Sequence, residues 1–404
     1  MSESCVIVGA GHCAGQLVGS LRQGGYGGAI TMIGDEPYHP YQRPPLSKGF
    51  LAGEMDMDQV YFKPPAFYEG VDTRVLSGKR VEEIDRAGKR VVLSDGEALG
   101  YDKLVLATGA RPRRLTMAGA DDPRLFYLRS IKDVLGIREH FHPGARAVIV
   151  GGGYIGLEVA AVAAKRGLQV TVLEMDSRVM SRVVAPEISA FYEAAHTAKG
   201  VKLLTGVGVT GFEPSPEALT VLCSDGSSVP ADLVIVGVGV VPNSELAEAA
   251  GLTCENGIVV DPHCQTSDPH VYAAGDCTNH PSSHYGGRIR LECVQNALGQ
   301  AKTTAAALTD AHSPYGEIPW FWSDQYDLKL QIAGLNQGHD QRVLRGDPAT
   351  DSFALYYLKD GAVIAVDAIN SPRDFMMAKR LIAARKVVDP VRLADPGVPL
   401  KELA

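Results

Sequence analysis

Glycines recur in two stretches of the chain with the spacing that lets a backbone wrap around a pyrophosphate. The first stretch, Gly9-Ala10-Gly11-His12-Cys13-Ala14-Gly15, follows an apolar run that begins at Cys5. It fits the GxGxxG/A pattern, in which Gly9 permits a tight turn and Gly11 lets the backbone approach the pyrophosphate. Ala14 and Gly15 are small enough for the following helix to pack closely on the strand, so the N-terminus of that helix faces the phosphates. The pattern predicts a strand, a turn and a helix that bind a dinucleotide.

The second stretch, Gly151-Gly152-Gly153-Tyr154-Ile155-Gly156, also follows an apolar run and precedes an alanine-rich segment. The next predicted strand, 170–173, ends on Glu174, 18 residues after Gly156. A carboxylate at this position accepts a hydrogen bond from a ribose 2′-hydroxyl and repels a 2′-phosphate, which favours NADH over NADPH. Arg178 and Arg182 lie just beyond and keep the alternative open, because an arginine near this strand end can accommodate the 2′-phosphate.

Two fingerprints in one chain imply two dinucleotides, and the economical pairing is a tightly held flavin with an exchanging nicotinamide. Behind the first fingerprint, a predicted strand at 29–33 leads to Asp35 and Glu36, and either carboxylate is placed to bind a ribose. Three more predicted strands end in small residues, at 101–109, 231–239 and 271–276. The last of them ends on Gly275-Asp276, where a carboxylate can bond the ribityl hydroxyls of a flavin.

Composition and charge exclude several other classes of protein. The 404 residues suffice for two or three domains. The net charge of -8 argues against a nucleic-acid partner. The seven cysteines contain no CxxC spacing, so we expect no metal centre and no redox disulfide, and we expect a reducing cytoplasm. The apolar stretch 147–164 contains Glu158 and the second glycine turn, which argues against a membrane span.

Beyond the fingerprints, several further segments match one family. They are Arg43-Pro44-Pro45-Leu46-Ser47-Lys48, Ala107-Thr108-Gly109, Leu128-Arg129, Gly156-Leu157-Glu158, Gly237-Val238-Gly239, Tyr272-Ala273-Ala274-Gly275-Asp276, Glu292-Cys293-Val294-Gln295-Asn296-Ala297 and Pro319-Trp320-Phe321-Trp322-Ser323-Asp324-Gln325. With them the chain resembles, nearly end to end, the NADH-dependent ferredoxin reductases that serve bacterial cytochrome P450 and ring-hydroxylating oxygenase systems.

The resemblance implies an α/β architecture like that of glutathione reductase, with two doubly wound, Rossmann-like nucleotide-binding domains and an α+β C-terminal domain. The FAD-binding domain would comprise residues 1–109 and 240–318, the NAD-binding domain 110–239, and the C-terminal domain 319–404. In the last domain, segments 353–358 and 362–366 flank Lys359-Asp360-Gly361 as a predicted hairpin, and 378–385 is a predicted helix.

The resemblance also implies roles for individual residues. Lys48 would lie beside the flavin ring, paired with Glu158, and Trp320 would lie close enough to act on electron or nicotinamide transfer. Arg43 would contact FAD, Asp276 the ribityl chain, and Arg129 the pyrophosphate or ring carbonyls. The remaining cofactor contacts would come from the fingerprint residues and from a further set: Val81, Ala107, Thr108, Gly109, Gly239, Gly275, Glu292 and Val294.

The implied activity is transfer of electrons from NADH through FAD to a [2Fe-2S] ferredoxin that supplies an oxygenase. Two rivals remain at this point. One is an NADH-sensing flavoprotein resembling apoptosis-inducing factor, against which the negative charge argues. The other is an NADH oxidase or peroxidase, for which a redox cysteine is expected soon after the first fingerprint. After Cys13 the next cysteine is Cys223.

Overall fold

The computed structural model describes residues 3–403, which group into two compact units. The first unit contains the residues up to Arg43, Asp56–Arg111 and Val240–Pro319. The second unit contains Pro44–Met55, Pro112–Gly239 and the residues from Trp320 onward. The domain boundaries drawn from the sequence stay a prediction, and they leave Pro44–Met55 in the flavin domain. In the structure this segment groups with the second unit, since Ser47 and Lys48 hydrogen-bond to Glu158.

The first half of the chain contains two strand–helix–strand units of a doubly wound fold. Its elements are β1 (Cys5–Val8), α1 (His12–Gln23), β2 (Ile30–Gly34), α2 (Met57–Val60), α3 (Pro65–Gly70), β3 (Thr73–Ser77), β4 (Val81–Asp85), β5 (Arg90–Leu93), β6 (Ala98–Gly100), β7 (Lys103–Leu106), β8 (Ala110–Pro112), β9 (Leu125–Tyr127), α4 (Ile131–Glu139), β10 (Arg146–Val150), α5 (Tyr154–Lys165) and β11 (Gln169–Glu174). The two units are β1-α1-β2 and β10-α5-β11, and a run of strands from β3 to β9 lies between them. A 3-10 turn, Pro44–Ser47, lies between β2 and α2.

The second half ends in a region dominated by long strands. Its elements are α6 (Pro186–Ala198), β12 (Lys202–Thr205), β13 (Val209–Pro214), β14 (Leu219–Cys223), β15 (Ser228–Ala231), β16 (Leu233–Val236), β17 (Val240–Pro242), α7 (Glu245–Ala249), β18 (Ile258–Val259), β19 (Val271–Ala273), β20 (Thr278–Pro281), β21 (Arg288–Ile289), α8 (Val294–Leu308), β22 (Trp320–Gln325), β23 (Leu328–Gly334), β24 (Gln341–Asp347), β25 (Ser352–Lys359), β26 (Ala362–Ile369), α9 (Pro372–Ala384) and α10 (Pro390–Ala394). Two further 3-10 turns are Pro348–Thr350 and Leu400–Glu402.

The first unit is built on a parallel sheet with strand order β19-β7-β1-β2-β3. Its central strand β1 is apolar throughout because both faces are covered. Ile7 belongs to a core cluster with Leu17 and Leu21 of α1, whereas Val8 belongs to a second cluster that includes Val91 of β5. The carboxyl end of β1, where the first glycine stretch begins, is therefore fixed by packing from both sides.

The second unit repeats this arrangement with the strand order β12-β11-β10-β16-β9, again parallel. A separate antiparallel sheet, β13-β14-β15, packs its apolar side against it. Strand β10 leads into the second glycine stretch, and α5 follows at Tyr154. The expectation of two doubly wound nucleotide-binding folds is confirmed, and the stretch 147–164 is a strand, a turn and a helix.

The C-terminal part of the second unit is an antiparallel sheet, β22-β23-β26-β25-β24, against which α9 packs. The predicted hairpin is present as β25 and β26. The predicted helix begins earlier than expected, at Pro372, since proline is well accommodated in the first turn of a helix. It ends at Ala384 because Arg385 adopts a left-handed conformation, with φ 48°.

One carboxyl group is enclosed in this sheet. Asp367 on β26 is 1% exposed, and the hydroxyl of Tyr357 donates a hydrogen bond to it. Burial raises the pKa of Asp367 from 3.8 to about 7, although the Tyr357 bond acts in the opposite direction. This group titrates near neutral pH within the fold. Within residues 3–403, no helix combines the length and apolar character that crossing a bilayer requires.

Candidate functional site

The first glycine turn leaves space where a phosphate would lie. Gly9 has φ +113°, and a Cβ on it would lie 2.2 Å from the carbonyl oxygen of Ala107, so only glycine fits. A Cβ on Gly11 would meet no heavy atom of the described protein within 4 Å. Gly11 is also the N-cap of α1 and provides no side-chain hydrogen bond to the first N–H groups of that helix. Open space beside the N-terminus of a helix fits a dinucleotide pyrophosphate.

The other two positions of this fingerprint are filled by packing. Ala14 is fully buried in the core beneath the sheet. A Cβ on Gly15 would lie 2.8 Å from a ring carbon of Phe62 and 3.1 Å from the Tyr68 hydroxyl oxygen. These two residues therefore act through the close approach of α1 to its neighbours. The sequence predicts this contact on the strand, whereas Gly15 packs against Phe62 and Tyr68.

The two carboxylates after β2 have different surroundings. Glu36 accepts hydrogen bonds from the Tyr41 hydroxyl at 2.6 Å and from Arg43 at 2.9 Å. Asp35 is exposed and lines a cavity of about 520 Å³ in the first unit, together with Gly9 and Val81. Asp35 is thus the carboxylate that faces open space beside the fingerprint, whereas Glu36 orients Arg43.

The Ala107-Thr108-Gly109 turn is tied to Asn243, a residue that the sequence argument did not single out. The Asn243 amide donates to the Thr108 carbonyl at 2.8 Å, and the Thr108 hydroxyl donates to the Asn243 carbonyl at 2.7 Å. Thr108 and Asn243 both line the cavity that contains Asp35. Ala107 supplies the carbonyl against which Gly9 packs, and Gly109 accepts a backbone bond from Asn243.

The Gly275-Asp276 turn follows β19 in the same unit. The Gly275 N–H donates to the Gln300 side-chain oxygen at 2.7 Å, and the φ of Gly275 is +89°. Asp276 is half-buried after this turn. Val294 is the first residue of α8, whose N-cap offers no side-chain hydrogen bond. Glu292, just before it, is exposed and forms an ion pair with Arg290.

The second glycine turn has the same geometry as the first. Gly151 has φ +107°, and a Cβ on it would lie 2.5 Å from the Gly237 carbonyl oxygen. A Cβ on Gly153 would meet no described heavy atom within 4 Å, and one on Gly156 would lie 2.1 Å from the Gly151 carbonyl oxygen. Ile155, on the first turn of α5, is 43% exposed. The second unit therefore also offers an open cradle at a helix N-terminus.

Glu174 stands at the end of β11 beside this cradle. Its Oε2 accepts from the Gly152 N–H at 2.6 Å, and its Oε1 accepts from the Asp176 N–H at 2.8 Å. Both bonds fix the carboxylate next to the glycine turn. The adjacent Met175 is 74% exposed, which is unusual for a large apolar side chain and was not anticipated.

The two arginines after Glu174 differ. The Arg178 guanidinium donates to the carbonyl oxygens of Ser181 and Val184 and to the Ser189 hydroxyl, so local structure occupies it. Arg182 is exposed. Gly239 has φ +95° and accepts a backbone hydrogen bond from Arg113.

Lys48 and Glu158 form a buried ion pair, as the resemblance implies. The Lys48 Nζ lies 2.7 Å from Glu158 Oε2, with side-chain exposures of 20% and 1%. Two hydroxyls complete the shell of the carboxylate: Ser47 donates to Oε2 at 2.5 Å and Ser323 donates to Oε1 at 2.7 Å. The sequence argument missed both serines. Oε2 thus accepts from two donors and Oε1 from one, and the ammonium of Lys48 balances the charge of the buried carboxylate.

Trp320 belongs to an aromatic group at the start of β22. Its ring centroid lies 5.5 Å from that of Trp322 and 5.8 Å from that of Phe375, and the Lys379 ammonium lies 5.4 Å above it. Trp320 and Trp322 are both half-buried. Arg129, just before α4, is half-buried, and its backbone N–H donates to Asp133. Arg129 therefore lies at the start of a capped helix.

The seven cysteines are free thiols, and five of them are buried. Burial raises the pKa of Cys293 to about 12 and that of Cys264 to about 12, and it raises the pKa of Cys13 well above 9. A thiol that stays protonated is a poor nucleophile. Among residues 3–403, His, Cys, Asp and Glu do not gather into a group that could hold a metal ion.

Comparison with known proteins agrees with this geometry. Residues 3–301 match the pyridine nucleotide-disulphide oxidoreductase family, and residues 320–404 match the reductase C-terminal family. The chain is 45% identical to putidaredoxin reductase CamA of Pseudomonas putida, over 100% of this chain and 97% of that protein. It is 43% identical to the ferredoxin reductase subunit of 5,5′-dehydrodivanillate O-demethylase of Sphingobium sp., over 99% and 98%.

Solved structures show the same likeness. The reductase in the covalent putidaredoxin reductase–putidaredoxin complex superposes with a TM-score of 0.96 at 44% identity, covering 99% of this chain and 98% of that one. The ferredoxin reductase of the CYP199A2 system from Rhodopseudomonas palustris superposes with a TM-score of 0.96 at 42% identity, covering 100% of both chains.

Proposed function

We propose, from the premise that this chain belongs to the pyridine nucleotide-disulphide oxidoreductase family, that it passes electrons from NADH through FAD to a [2Fe-2S] ferredoxin. The ferredoxin in turn supplies a cytochrome P450 or a ring-hydroxylating oxygenase. The observation that carries the proposal is the pair of glycine turns, one in each unit, with open space at Gly11 in the first and at Gly153 in the second. The proposal is supported by relatives that are ferredoxin reductases and that match this chain over nearly the whole length of both proteins.

In the proposal, FAD is held by the first unit. The N–H groups at the start of α1 take the pyrophosphate beside Gly11, and Asp35 takes the adenosine ribose because Glu36 is occupied by Arg43. Val81 lies in the same cavity, where its backbone meets the adenine. The remaining contacts of this cofactor are assigned to Arg43, Ala107, Thr108, Gly109, Gly275, Asp276, Glu292 and Val294, and to Arg129 of the second unit. Ala14 and Gly15 contribute through the close packing of α1.

The nicotinamide dinucleotide is held by the second unit, and NADH is the form that fits. Glu174 is fixed by two backbone N–H groups next to the cradle, so its charge repels a 2′-phosphate. Arg178, which could have offset this charge, is occupied by three local acceptors. Arg182 remains as a cation that can give NADPH a low residual affinity. Gly151, Gly153, Ile155, Gly156 and Gly239 line the pyrophosphate and nicotinamide ends.

FAD, when bound, supplies the chemistry that no side chain can: it takes two electrons from a nicotinamide and gives them up one at a time. The residues of the chain contribute position and charge. Lys48 is a cation held by Glu158, and in the proposal its ammonium stabilises negative charge on the flavin ring. Trp320 is assigned to the electron path or to nicotinamide placement. The transfer needs no protein acid or base.

The test is an anaerobic titration of the purified protein. Stoichiometric NADH should bleach the flavin absorbance rapidly, NADPH should do so far more slowly, and oxidised [2Fe-2S] ferredoxin should restore the absorbance in two one-electron steps. Absence of a flavin would end the proposal. Bleaching that persists with every ferredoxin, with a change in association state, would favour the sensor that resembles apoptosis-inducing factor.

An oxidase or peroxidase is disfavoured by the buried cysteines, since burial raises the pKa of Cys13 and keeps its thiol protonated. Fast turnover with oxygen alone, at a rate close to that with ferredoxin, would restore this alternative. The cytoplasmic location is proposed on the chemistry of the seven free thiols, which persist in a reducing compartment.

A further inference from the structure

A chain of buried hydrogen bonds extends from Glu158 to a histidine on another helix of the same unit. Ser323 donates to Glu158 Oε1 at 2.7 Å, and the Gln325 Nε2 donates to the Ser323 hydroxyl oxygen at 3.1 Å. The Gln325 Oε1 lies 2.9 Å from His196 Nε2, and the hydroxyl of Tyr326 lies 3.1 Å from His196 Nδ1. Ser323, Gln325 and His196 are each 0% exposed. The chain is therefore closed to solvent between Glu158 and Tyr326.

The chemistry of each group fixes the direction of every bond. The Glu158 carboxylate, paired with Lys48, can only accept, so the single proton of Ser323 points at it. The Ser323 oxygen must then accept from the amide of Gln325, which turns its carbonyl oxygen toward His196. An oxygen opposite His196 Nε2 requires that this nitrogen carry the proton, and Nδ1 then accepts from Tyr326. The ionised state of Glu158 thus sets the tautomer of His196 three hydrogen bonds away.

We propose that Ser323, Gln325 and His196 are positioning residues for Glu158, joined in a hydrogen-bond chain whose polarity the carboxylate sets and which in turn holds the carboxylate. Bonds that all point one way polarise one another, so the chain strengthens the Ser323 bond to Glu158. The functional part rests on the proposed function, in which Glu158 holds Lys48, and adds one contact to it, from the Glu158 carboxylate to the carboxamide of the nicotinamide. Burial lowers the pKa of His196 despite its Gln325 bond, which keeps the ring neutral as the chain requires.

The proposed hydrogen-bond chain predicts a response to substitution that is not expected of buried polar groups that only fill space. In Glu158→Gln, Lys48 and Ser47 still require an oxygen at their side of the group, so the new amide nitrogen faces Ser323. Ser323 must then accept from that nitrogen and give its proton to Gln325. Gln325 turns over and presents its amide nitrogen to His196. The whole chain inverts, and the His196 proton moves from Nε2 to Nδ1.

The experiment is nitrogen-15 NMR of the flavin-loaded protein labelled at histidine, which distinguishes the two neutral tautomers by the shifts of the two ring nitrogens. His196→Gln removes one signal pair and assigns it, and its amide nitrogen can replace Nε2 as the donor. We expect the Nε2–H tautomer in the unmodified protein and the Nδ1–H tautomer in Glu158→Gln. Glu54→Gln is the control, since Glu54 forms only an exposed pair with Lys165 in the same unit.

Ser323→Ala tests the chain by a second route, in case Glu158→Gln does not fold. It removes the middle of the chain, so Gln325 loses its fixed orientation and His196 should become a mixture of tautomers. An Nδ1–H tautomer or a doubly protonated ring in the unmodified protein would overturn the proposal. So would an unchanged Nε2–H tautomer in either variant.

Coenzyme binding supplies the functional readout. Ser323→Ala should raise the dissociation constant for NAD⁺ by at most about tenfold, because the lost bond is present with and without the coenzyme and affects binding only through the position of the carboxylate. His196→Leu should raise it to a similar degree, whereas His196→Gln should stay close to the unmodified protein. The tautomer measurement needs no nicotinamide, so it stands even if NADH fails to reduce the flavin. Conversely, normal reduction by NADH with no tautomer change would refute only the chain.

Discussion

The choice between NADH and NADPH should depend mainly on Glu174, and Glu174→Gln tests this with a minimal change of shape. The carboxylate accepts two backbone N–H bonds, at 2.6 Å and 2.8 Å. The amide of the variant keeps one acceptor oxygen and removes the charge, so the hydrogen bond that Glu174 accepts from the ribose 2′-hydroxyl becomes a bond between neutral groups. A hydrogen bond to a charged group contributes about 1.5–3 kcal/mol and a neutral one about 0.5–1.5 kcal/mol. NADH should therefore lose about 1 kcal/mol of binding free energy.

NADPH should change in the opposite direction. A carboxylate and a phosphate a few ångströms apart repel by about 1–2 kcal/mol when solvent screening is included, and the variant removes this repulsion. The two effects add to about 2–3 kcal/mol, or roughly a hundredfold change in the preference between coenzymes. Arg182→Ala should lower the remaining NADPH use of the unmodified protein and leave NADH unchanged, because Arg182 is the exposed cation near this strand end.

The assay is stopped-flow reduction of the flavin without oxygen, with each coenzyme varied in concentration. The ratio of the two second-order rate constants gives the preference directly. Glu187→Gln serves as the control, because Glu187 is an exposed carboxylate of the same unit that pairs with Arg342. A ratio in Glu174→Gln within about threefold of the control would refute the assignment of Glu174.

Two further predictions concern the second glycine turn and the buried carboxyl group of Asp367. Gly153→Ala should fold normally but bind the nicotinamide dinucleotide at least about tenfold more weakly, since its Cβ meets only open space; Gly156→Ala, whose Cβ would lie 2.1 Å from the Gly151 carbonyl oxygen, should lower the melting temperature instead. Calorimetry and coenzyme titration of both variants separate these effects, and the reverse pattern would contradict the argument. Asp367 has a folded pKa of about 7 against 3.8 when exposed, so the folded state binds the extra proton and stability falls as pH rises between these values. Asp367→Asn should remove this pH-dependent fall in the free energy of unfolding, which amounts to at most about 4 kcal/mol. If the melting temperatures of both proteins change with pH in the same way, this role of Asp367 is excluded.

The sequence predicts the parts of the fold that repeat a local pattern. Both glycine turns, the strands that enter them and the C-terminal hairpin depend on residues that are neighbours in the chain, and all are present. The position of Glu158 within an apolar helix also indicates a buried partner, because an unpaired charge there would be too costly. These conclusions need no tertiary information.

The partners of Glu158 were harder to predict for a physical reason. Ser323 lies 165 residues from Glu158 and His196 lies 129 residues from Gln325, so no periodicity connects them. Ser323 and Gln325 do lie on one face of β22, both 0% exposed, and two polar residues at i and i+2 within an aromatic strand are a signal of a buried polar pair. The sequence cannot supply the histidine at the other end. Likewise, no local pattern in the sequence indicates that Pro44–Met55 groups with the second unit.

The strand order of the first unit has a consequence for how the protein is made. Strand β19 pairs with β7, although Val271 leaves the ribosome about 165 residues after Leu106. At about 5–20 residues per second, the growing chain waits roughly 10–30 s with one side of β7 unpaired. During that interval the residues of the second unit from Pro112 to Gly239 are synthesised and can complete their own parallel sheet first. The sheet of the first unit is therefore completed after that of the second, although β1, β2, β3 and β7 are synthesised earlier. A nascent chain stalled before Val271 would expose an apolar strand edge to chaperones.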